Sequence, residues 1–201
     1  MPESTPLDDA VRRMCAGDAD AFRTVYREVQ PVLLRYLTVL VGRDDAEDVA
    51  SETWGQACRD LDRFEGDGSG FRGWVTTIGR HRALDHLRSR SRRIRPDQDL
   101  TGVEPPDRLD LEAAVAESFT TAGAVELIRS LPREQAEAVF LRAVMGLDAK
   151  SAAAVLGRRP GAVRMAAHRG LATLAKRLGT RPESVLGLSD IFSSRGAEGV
   201  R

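Results

Sequence analysis

Between Phe22 and Leu40 the apolar residues Phe22, Val25, Tyr26, Val29, Leu33, Tyr36, Leu37 and Leu40 recur at steps of three and four. That spacing gathers on one side of a helix, whereas a strand would send every second residue to the opposite face. It predicts an amphipathic helix over residues 18–42 with one buried stripe, kinked or divided at Pro31, which has no N–H for the helical ladder. The same period returns along the rest of the chain, and no stretch sustains alternation. The expected fold class is therefore all-α.

Glycines and prolines divide the pattern. Gly42 ends the first run, and Asp44-Asp45-Ala46-Glu47-Asp48 supplies a cap and an acidic first turn for a helix reaching about Leu61. Residues 62–70 carry three glycines and read as a loop. From Phe71 the helical period resumes through Trp74, Val75, Ile78, Leu84 and Leu87, then dissolves into Arg88-Ser89-Arg90-Ser91-Arg92-Arg93. Pro96, Gly102, Pro105 and Pro106 stand among acidic residues with too little apolar material for a core, as expected of a linker. A second helical unit begins near Leu109. Its later helices start at Pro132, Asp148 and Pro160, and the last reaches about Leu178. The expected organisation is two small helical domains, residues 1–94 and 118–180, joined by an acidic flexible linker over 95–117 and followed by a disordered tail over 181–201.

Thirty Lys+Arg balance thirty Asp+Glu, but the charge is segregated. Residues 1–79 hold 9 basic and 15 acidic side chains, residues 80–95 hold 7 and 1, residues 96–117 hold 1 and 7, and residues 129–181 hold 11 and 3. Two cationic segments separated by an acidic one fit a bipartite nucleic-acid binder better than a uniform surface. All the basic residues except Lys150 and Lys176 are arginine, which suits guanidinium forks and equally suits a GC-rich coding genome.

Residues 148–163 read as a short helix, a glycine turn at Gly157 and a second helix opened by Pro160, the spacing of a helix-turn-helix. Small alanines allow close helix approach. Val163, Ala167, Leu171 and Leu174 share one face, whereas Arg164, Met165 and His168 project from the other, which suits a major groove. Arg158, Arg159 and Arg169 stand within reach of phosphates or base edges. The sequence does not distinguish which arginine reads bases.

Taken together, three segments resemble the extracytoplasmic-function (ECF) group of sigma-70 family RNA polymerase sigma factors. They are Asp45 to Trp54, Phe71 to Arg80, and Leu131-Pro132-Arg133-Glu134-Gln135 ahead of the helix-turn-helix. The likeness spans about residues 8–178. It implies that the first domain, sigma region 2, docks on the β and β′ subunits of core RNA polymerase through Asp45, Glu47, Asp48, Glu52 and Trp54. The acidic residues from Asp44 to Asp48 also cap their own helix and complement its dipole. The resemblance further implies −10 recognition and strand opening by Arg63, Phe64, Asp67, Phe71, Trp74, Arg80, His81, Arg82 and Arg88. Phe64, Phe71 and Trp74 would wall a base pocket, although Trp74 also has core spacing with Ile78. Arg90, Arg92 and Arg93 extend the cationic rail for the single strand. The second domain, sigma region 4, would read double-stranded −35 DNA through Arg158, Arg159, Arg164, Met165, His168 and Arg169. An anti-sigma factor is a further partner that the resemblance admits. The linker either threads the polymerase cleft or acts as a charged tether. The chain departs from the family pattern at His81, at Ser51 to Trp54, at Ser151-Ala152-Ala153 and at Ala166.

Two other functions fit parts of the same pattern. A helix-turn-helix regulator acting without polymerase would bind duplex DNA alone. A metal-dependent nucleic-acid enzyme could be built on His81, Asp85 and His86, but His86 points about 100° from Asp85 on the helix and no third ligand has diagnostic spacing. Cys15 and Cys58 show no metal or disulfide spacing. No cofactor, metal, catalytic residue or membrane contact is expected, and the expected location is cytoplasmic.

Overall fold

The structure, a computed structural model, describes residues 5–94 and 121–179. The expected linker at 95–117, the helix expected from Leu109 up to residue 120, and the tail at 181–201 lie outside the described residues. Among the described residues there are eight helices and no strand, and the chain divides into two compact units, within residues 1–101 and 102–201.

In the first unit, α1 (Pro6–Cys15) leads to α2 (Ala19–Val41), α3 (Arg43–Arg59), a 3-10 turn (Leu61–Arg63) and α4 (Gly68–Ile94). Asp18 starts α2 by accepting hydrogen bonds from the N–H groups of Asp20 and Ala21. Pro31 does not divide α2, which runs as one helix through it. A proline inside a helix costs about 3 kcal/mol, and full burial of each large apolar side chain returns about 1.5–3 kcal/mol. Val25, Val29, Leu33, Tyr36 and Leu37, all fully buried on either side of Pro31, outweigh the lost hydrogen bond. The expected stripe is buried except at Phe22, which is half-buried, and at Tyr26, which is 38% exposed.

The cap of α3 is Gly42, at φ +90°, and no acidic side chain makes the cap bond expected from Asp44 to Asp48. Asp44 and Asp45 instead occupy the first turn, where they favour the positive end of the helix dipole. α3 also stops at Arg59, two residues short of expectation.

Two boundaries of α4 differ further from the sequence reading. It starts at Gly68 and not Phe71, because the Asp67 carboxylate accepts from the Gly70 N–H at 2.7 Å and from the Ser69 hydroxyl at 2.9 Å. A capped N-terminus offsets the low helix propensity of glycine. At the other end the arginine run does not dissolve the helix; it continues to Ile94. Arginine is a good helix former, and Arg88 pairs with Asp85 one turn earlier at 2.9 Å. The buried stripe of α4 is Phe71, Val75, Gly79 and Ala83. At Gly79 a Cβ would stand 3.1 Å from Leu33 Cδ1 and 3.5 Å from Thr53 Cγ2, so the glycine is where α4 comes closest to α2 and α3.

The second unit contains α5 (Thr121–Arg129), α6 (Arg133–Val139), a π-helical turn (Phe140–Val144), α7 (Ala149–Leu156) and α8 (Pro160–Leu178). Leu127, Ile128, Phe140, Leu141 and Leu174 are fully buried. The tightest approach is at Gly170 of α8, where a Cβ would lie 2.5 Å from Val139 Cγ2 and 3.3 Å from the Gln135 carbonyl oxygen.

Gly170→Ala therefore sets a helix-propensity gain of about 1 kcal/mol against an overpacking cost of about 1–3 kcal/mol. The expected result is net destabilisation in urea unfolding followed by circular dichroism. In a Val139→Ala background the same substitution should cost clearly less; equal cost in both backgrounds would refute the proposed contact.

Candidate nucleic-acid interface

The second unit builds its projecting face from the turn outward. Asp148 caps α7 through the Ser151 N–H at 2.6 Å. Gly157 ends α7 at φ +62°, in the left-handed region that side chains disfavour, and the Arg158 N–H closes back on the Ala153 carbonyl at 3.0 Å. Arg159 is extended, and Pro160 begins α8, where its missing N–H costs nothing.

This turn buries Val163, Ala166, Ala167 and Leu174 and leaves Arg159, Arg164, Met165, His168 and Arg169 exposed. Met165, 56% exposed, is the more open of two large exposed apolar side chains among the described residues, the other being Tyr26. Arg158 is exposed too, but it forms an ion pair with Glu134 at 2.5 Å. The Leu131 to Gln135 segment thus reaches the turn through its glutamate, a link that the sequence pattern alone does not reveal.

In the first unit the predicted side chains separate into exposed and packed sets. Trp54 is buried, donating its Nε1–H to Gln30 Oε1 at 2.6 Å. It belongs to a run of touching rings: Trp54 lies 4.9 Å from Tyr26 and 6.2 Å from Phe71, and Phe64 lies 5.3 Å from Phe71 and 5.2 Å from Trp74. Trp54 and Phe71 are both buried within this cluster. Phe64 and Trp74 are half-buried at the edge of the same cluster. Asp67 is exposed, but its carboxylate is committed to the start of α4.

The acidic helix α3 is similarly divided. Glu47, Asp48 and Glu52 are exposed, whereas Asp45 faces α4, with Arg90 Nη1 at 2.7 Å and His86 Nε2 at 3.1 Å. The His86 approach is a charge contact when the imidazole is protonated, without the alignment of a hydrogen bond. Asp45 is therefore partly neutralised within the unit, unlike its three neighbours. A groove of about 440 Å³ lies here, lined by Asp45, Glu52, Arg82, Asp85, His86, Ser89 and Arg90.

The cationic rail divides between two faces of α4. His81, Asp85, Arg88 and Arg92 form an exposed stripe, while Arg82 turns to α3 and donates to Gln56 Oε1 at 2.9 Å. Arg80 is half-buried, and Arg63 is exposed with Asp60 Oδ1 3.8 Å from its Nη1. Among the described residues no three His, Cys, Asp or Glu side chains are grouped to hold a metal ion. His86 faces Asp45 of α3 and not Asp85, so the His81, Asp85 and His86 set does not converge. No helix among the described residues is long and apolar enough to cross a membrane.

An all-α protein whose second unit holds a capped helix-turn-helix and whose first carries a basic helix stripe belongs to the class of DNA-binding transcription proteins. Residues 25–93 match the description Sigma-70 region 2, and residues 124–174 match Sigma-70, region 4. The ECF RNA polymerase sigma factor BldN of Streptomyces coelicolor is 33% identical over 181 residues, covering 88% of this chain and 67% of that protein. SigD of Mycobacterium tuberculosis, also an ECF sigma factor, is 34% identical over 178 residues, covering 84% and 82%. Among solved structures, the sigma factor RpoE in complex with the anti-sigma factor NepR, from Bartonella quintana, is similar at 25% identity and a TM-score of 0.61, covering 79% of this chain and 96% of that one. The chain belongs to the ECF sigma factors of the sigma-70 family. It acts with core RNA polymerase and promoter DNA in transcription initiation.

The helix caps make the fold acid-sensitive in a defined direction. The Ser151 N–H holds the Asp148 carboxyl below its ordinary value of 3.8, and the Gly70 N–H does the same for Asp67. A carboxylate depressed on folding stabilises fully above its unfolded pKa and loses that contribution as pH falls through the folded value. Asp148→Ala should therefore lower the urea midpoint at pH 7, with the gap from wild type shrinking as pH drops below 3.8. A gap that stays constant with pH would show that the cap bond contributes nothing.

Proposed function

We propose that the first unit, residues 1–94, contacts core polymerase and the −10 element, and that the second, residues 118–180, reads the −35 element. Glu47, Asp48 and Glu52 form the docking face of α3, since their exposed carboxylates suit a basic partner surface. Asp45 contributes only where a partner displaces Arg90. The edge around Arg63, Phe64 and Trp74 receives an unpaired base, and the His81, Arg88 and Arg92 stripe guides the strand's phosphates. Stacking on an aromatic ring is worth about 1–3 kcal/mol per base, comparable to the few kcal/mol needed to flip one. Differential affinity for the open strand thus drives melting, while the polymerase supplies the chemistry.

On α8, Arg164, Met165, His168 and Arg169 face the major groove, with Arg158 and Arg159 at the turn on flanking phosphates. The observation that carries this reading is the clean division of α8 into a buried alanine-valine face and an exposed basic one. An anti-sigma factor is a fitting further partner, because RpoE is seen with one. The cytoplasm, where promoters and polymerase meet, is the proposed location.

Transcription reconstituted with purified core polymerase tests the assignment. Arg164→Ala with His168→Ala should lower use of promoters that depend on the −35 element by about tenfold or more, since one good base contact contributes about 1–3 kcal/mol. Affinity for core should not change. Unaltered promoter choice would remove this helix face from base reading.

A further inference from the structure

We propose that Asp8, on α1, is a positioning residue for promoter opening: it fixes the glycine-rich entry of α4 in the shape that receives the unpaired strand. This rests on the reading of residues 63–70 as the opening element.

Gly68 is the first residue of α4 and is buried. Its N–H is among the groups at a helix start that have no partner within the helix. That N–H donates to Asp8 Oδ1 at 2.8 Å, across 60 residues of sequence. The entry of α4 is therefore held by two carboxylates, Asp67 from the loop itself at the Gly70 N–H and Asp8 from another helix at the Gly68 N–H. Removing Asp8 leaves a buried donor unsatisfied, the more costly way to lose a hydrogen bond.

The apolar contact beside this bond is equally tight. A Cβ on Gly68 would lie 2.7 Å from Leu7 Cγ, 2.9 Å from Leu7 Cδ2 and 3.0 Å from Asp8 Oδ1. No side chain fits between α1 and this turn. Leu7, Ala10, Val11 and Met14 are buried along α1, so the helix carrying Asp8 is itself anchored. The second carboxylate oxygen, Oδ2, accepts from the Thr5 N–H at 2.6 Å, and Thr5 Oγ1 accepts from the Asp8 N–H at 3.2 Å. One carboxylate thus completes the capping box of α1 and clasps the first turn of α4. Backbone N–H bonds from Thr5 and Gly68 hold the Asp8 carboxyl below its ordinary value.

The loop lies directly upstream of this clasp. A Cβ on Gly66 would meet Phe64 Cζ at 3.0 Å, and one on Gly70 would meet the Asp67 carboxylate at 3.3 Å. Phe64 therefore folds back over Gly66 and towards Gly70, which Asp67 anchors two residues beyond the Gly68 that Asp8 holds. Releasing Gly68 would let the whole turn, with Phe64, sample other shapes. The entropy lost on ordering it around a base would then be charged to the opening step.

The test uses holoenzyme on a promoter duplex selected by the wild-type holoenzyme from random sequence, and on the same promoter premelted across the −10 region. Loss of a hydrogen bond to a charged acceptor should slow opening of the duplex by about tenfold or more in Asp8→Ala, with unchanged affinity for core and near-normal activity on the premelted template. Asp8→Asn keeps an acceptor oxygen and should recover most of the rate. Thr5→Ala weakens the capping box but spares the bond to Gly68, and should open the duplex normally. Gly68→Ala should reproduce the Asp8→Ala defect by pushing α1 away.

Normal opening by Asp8→Ala overturns the proposal. So does an equal defect in Asp8→Ala, Asp8→Asn and Thr5→Ala, which would mark a contribution to folding alone, and so does failure of the premelted template to rescue. Phe64→Ala separates this proposal from the reading on which it rests. If Phe64→Ala opens the duplex normally, the loop is not the opening element; if it is defective while Asp8→Ala is not, only the role of Asp8 falls.

Discussion

Burial of Phe71, Val75, Gly79 and Ala83 along one side of α4 is the contact on which the first unit depends. The stripe diminishes from a phenyl ring to a bare Cα and back only to a methyl, so α4 approaches Leu33 and Thr53 closely at Gly79 while its first turn stays wide enough for the ring cluster. Once that face is removed from water, helical geometry decides the rest. His81, Asp85, Arg88 and Arg92, at steps of four and three, must point away from the core. The basic stripe is thus a consequence of where the apolar stripe packs, and a shift of the core contact by one residue would rotate it by about 100°.

The second unit uses the same logic with smaller side chains. Ala152, Ala153, Ala166 and Ala167 are buried, and Gly170 allows α8 to lie against α6 with no room for a methyl. Close approach of short side chains fixes the orientation of α8, because few rotamers remain to absorb an error. The turn at Gly157 then sets where α8 begins, and Glu134 steadies Arg158 beside it. Such rigidity matters at a base edge, where hydrogen-bond geometry tolerates little displacement.

What the sequence made legible follows from which interactions are local. The all-α class, the span of α8 and its buried face could be read from periodicity, since a helix repeats its environment every three or four residues. The helix-turn-helix was legible for the same reason, with Gly157 and Pro160 as punctuation. The start of α4 was not, because glycines at 68 and 70 argue against a helix until Asp8, sixty residues away, is known to satisfy the Gly68 N–H. α1 escaped notice altogether; it is short, and its Thr5-to-Asp8 capping box, with Asp where Glu or Gln is usual, was its main local signal. The packing of Trp54 and Phe71 in the core was not legible, because an aromatic in a contact motif and an aromatic in a core look alike in sequence. Only the neighbouring rings and the bond from Trp54 to Gln30 distinguish them.

Intramolecular ion pairs also explain why counting arginines overstates the cationic surface. A phosphate gains less from a guanidinium already facing a carboxylate, because it must displace that partner and leave it without its counter-charge. Arg90 faces Asp45, Arg158 faces Glu134 and Arg88 faces Asp85, whereas Arg82 is held by a neutral amide. The exposed pairs are individually weak, worth about 0–1 kcal/mol, so they do not block polyanion binding; they set how much each contact adds. Binding through these positions should be less steep in salt than one released counterion per arginine would give, since the internal carboxylate has already displaced some of the counterion atmosphere. The chain's neutral net charge is thus expressed side chain by side chain, with carboxylates placed to tune the arginines and not merely to balance them.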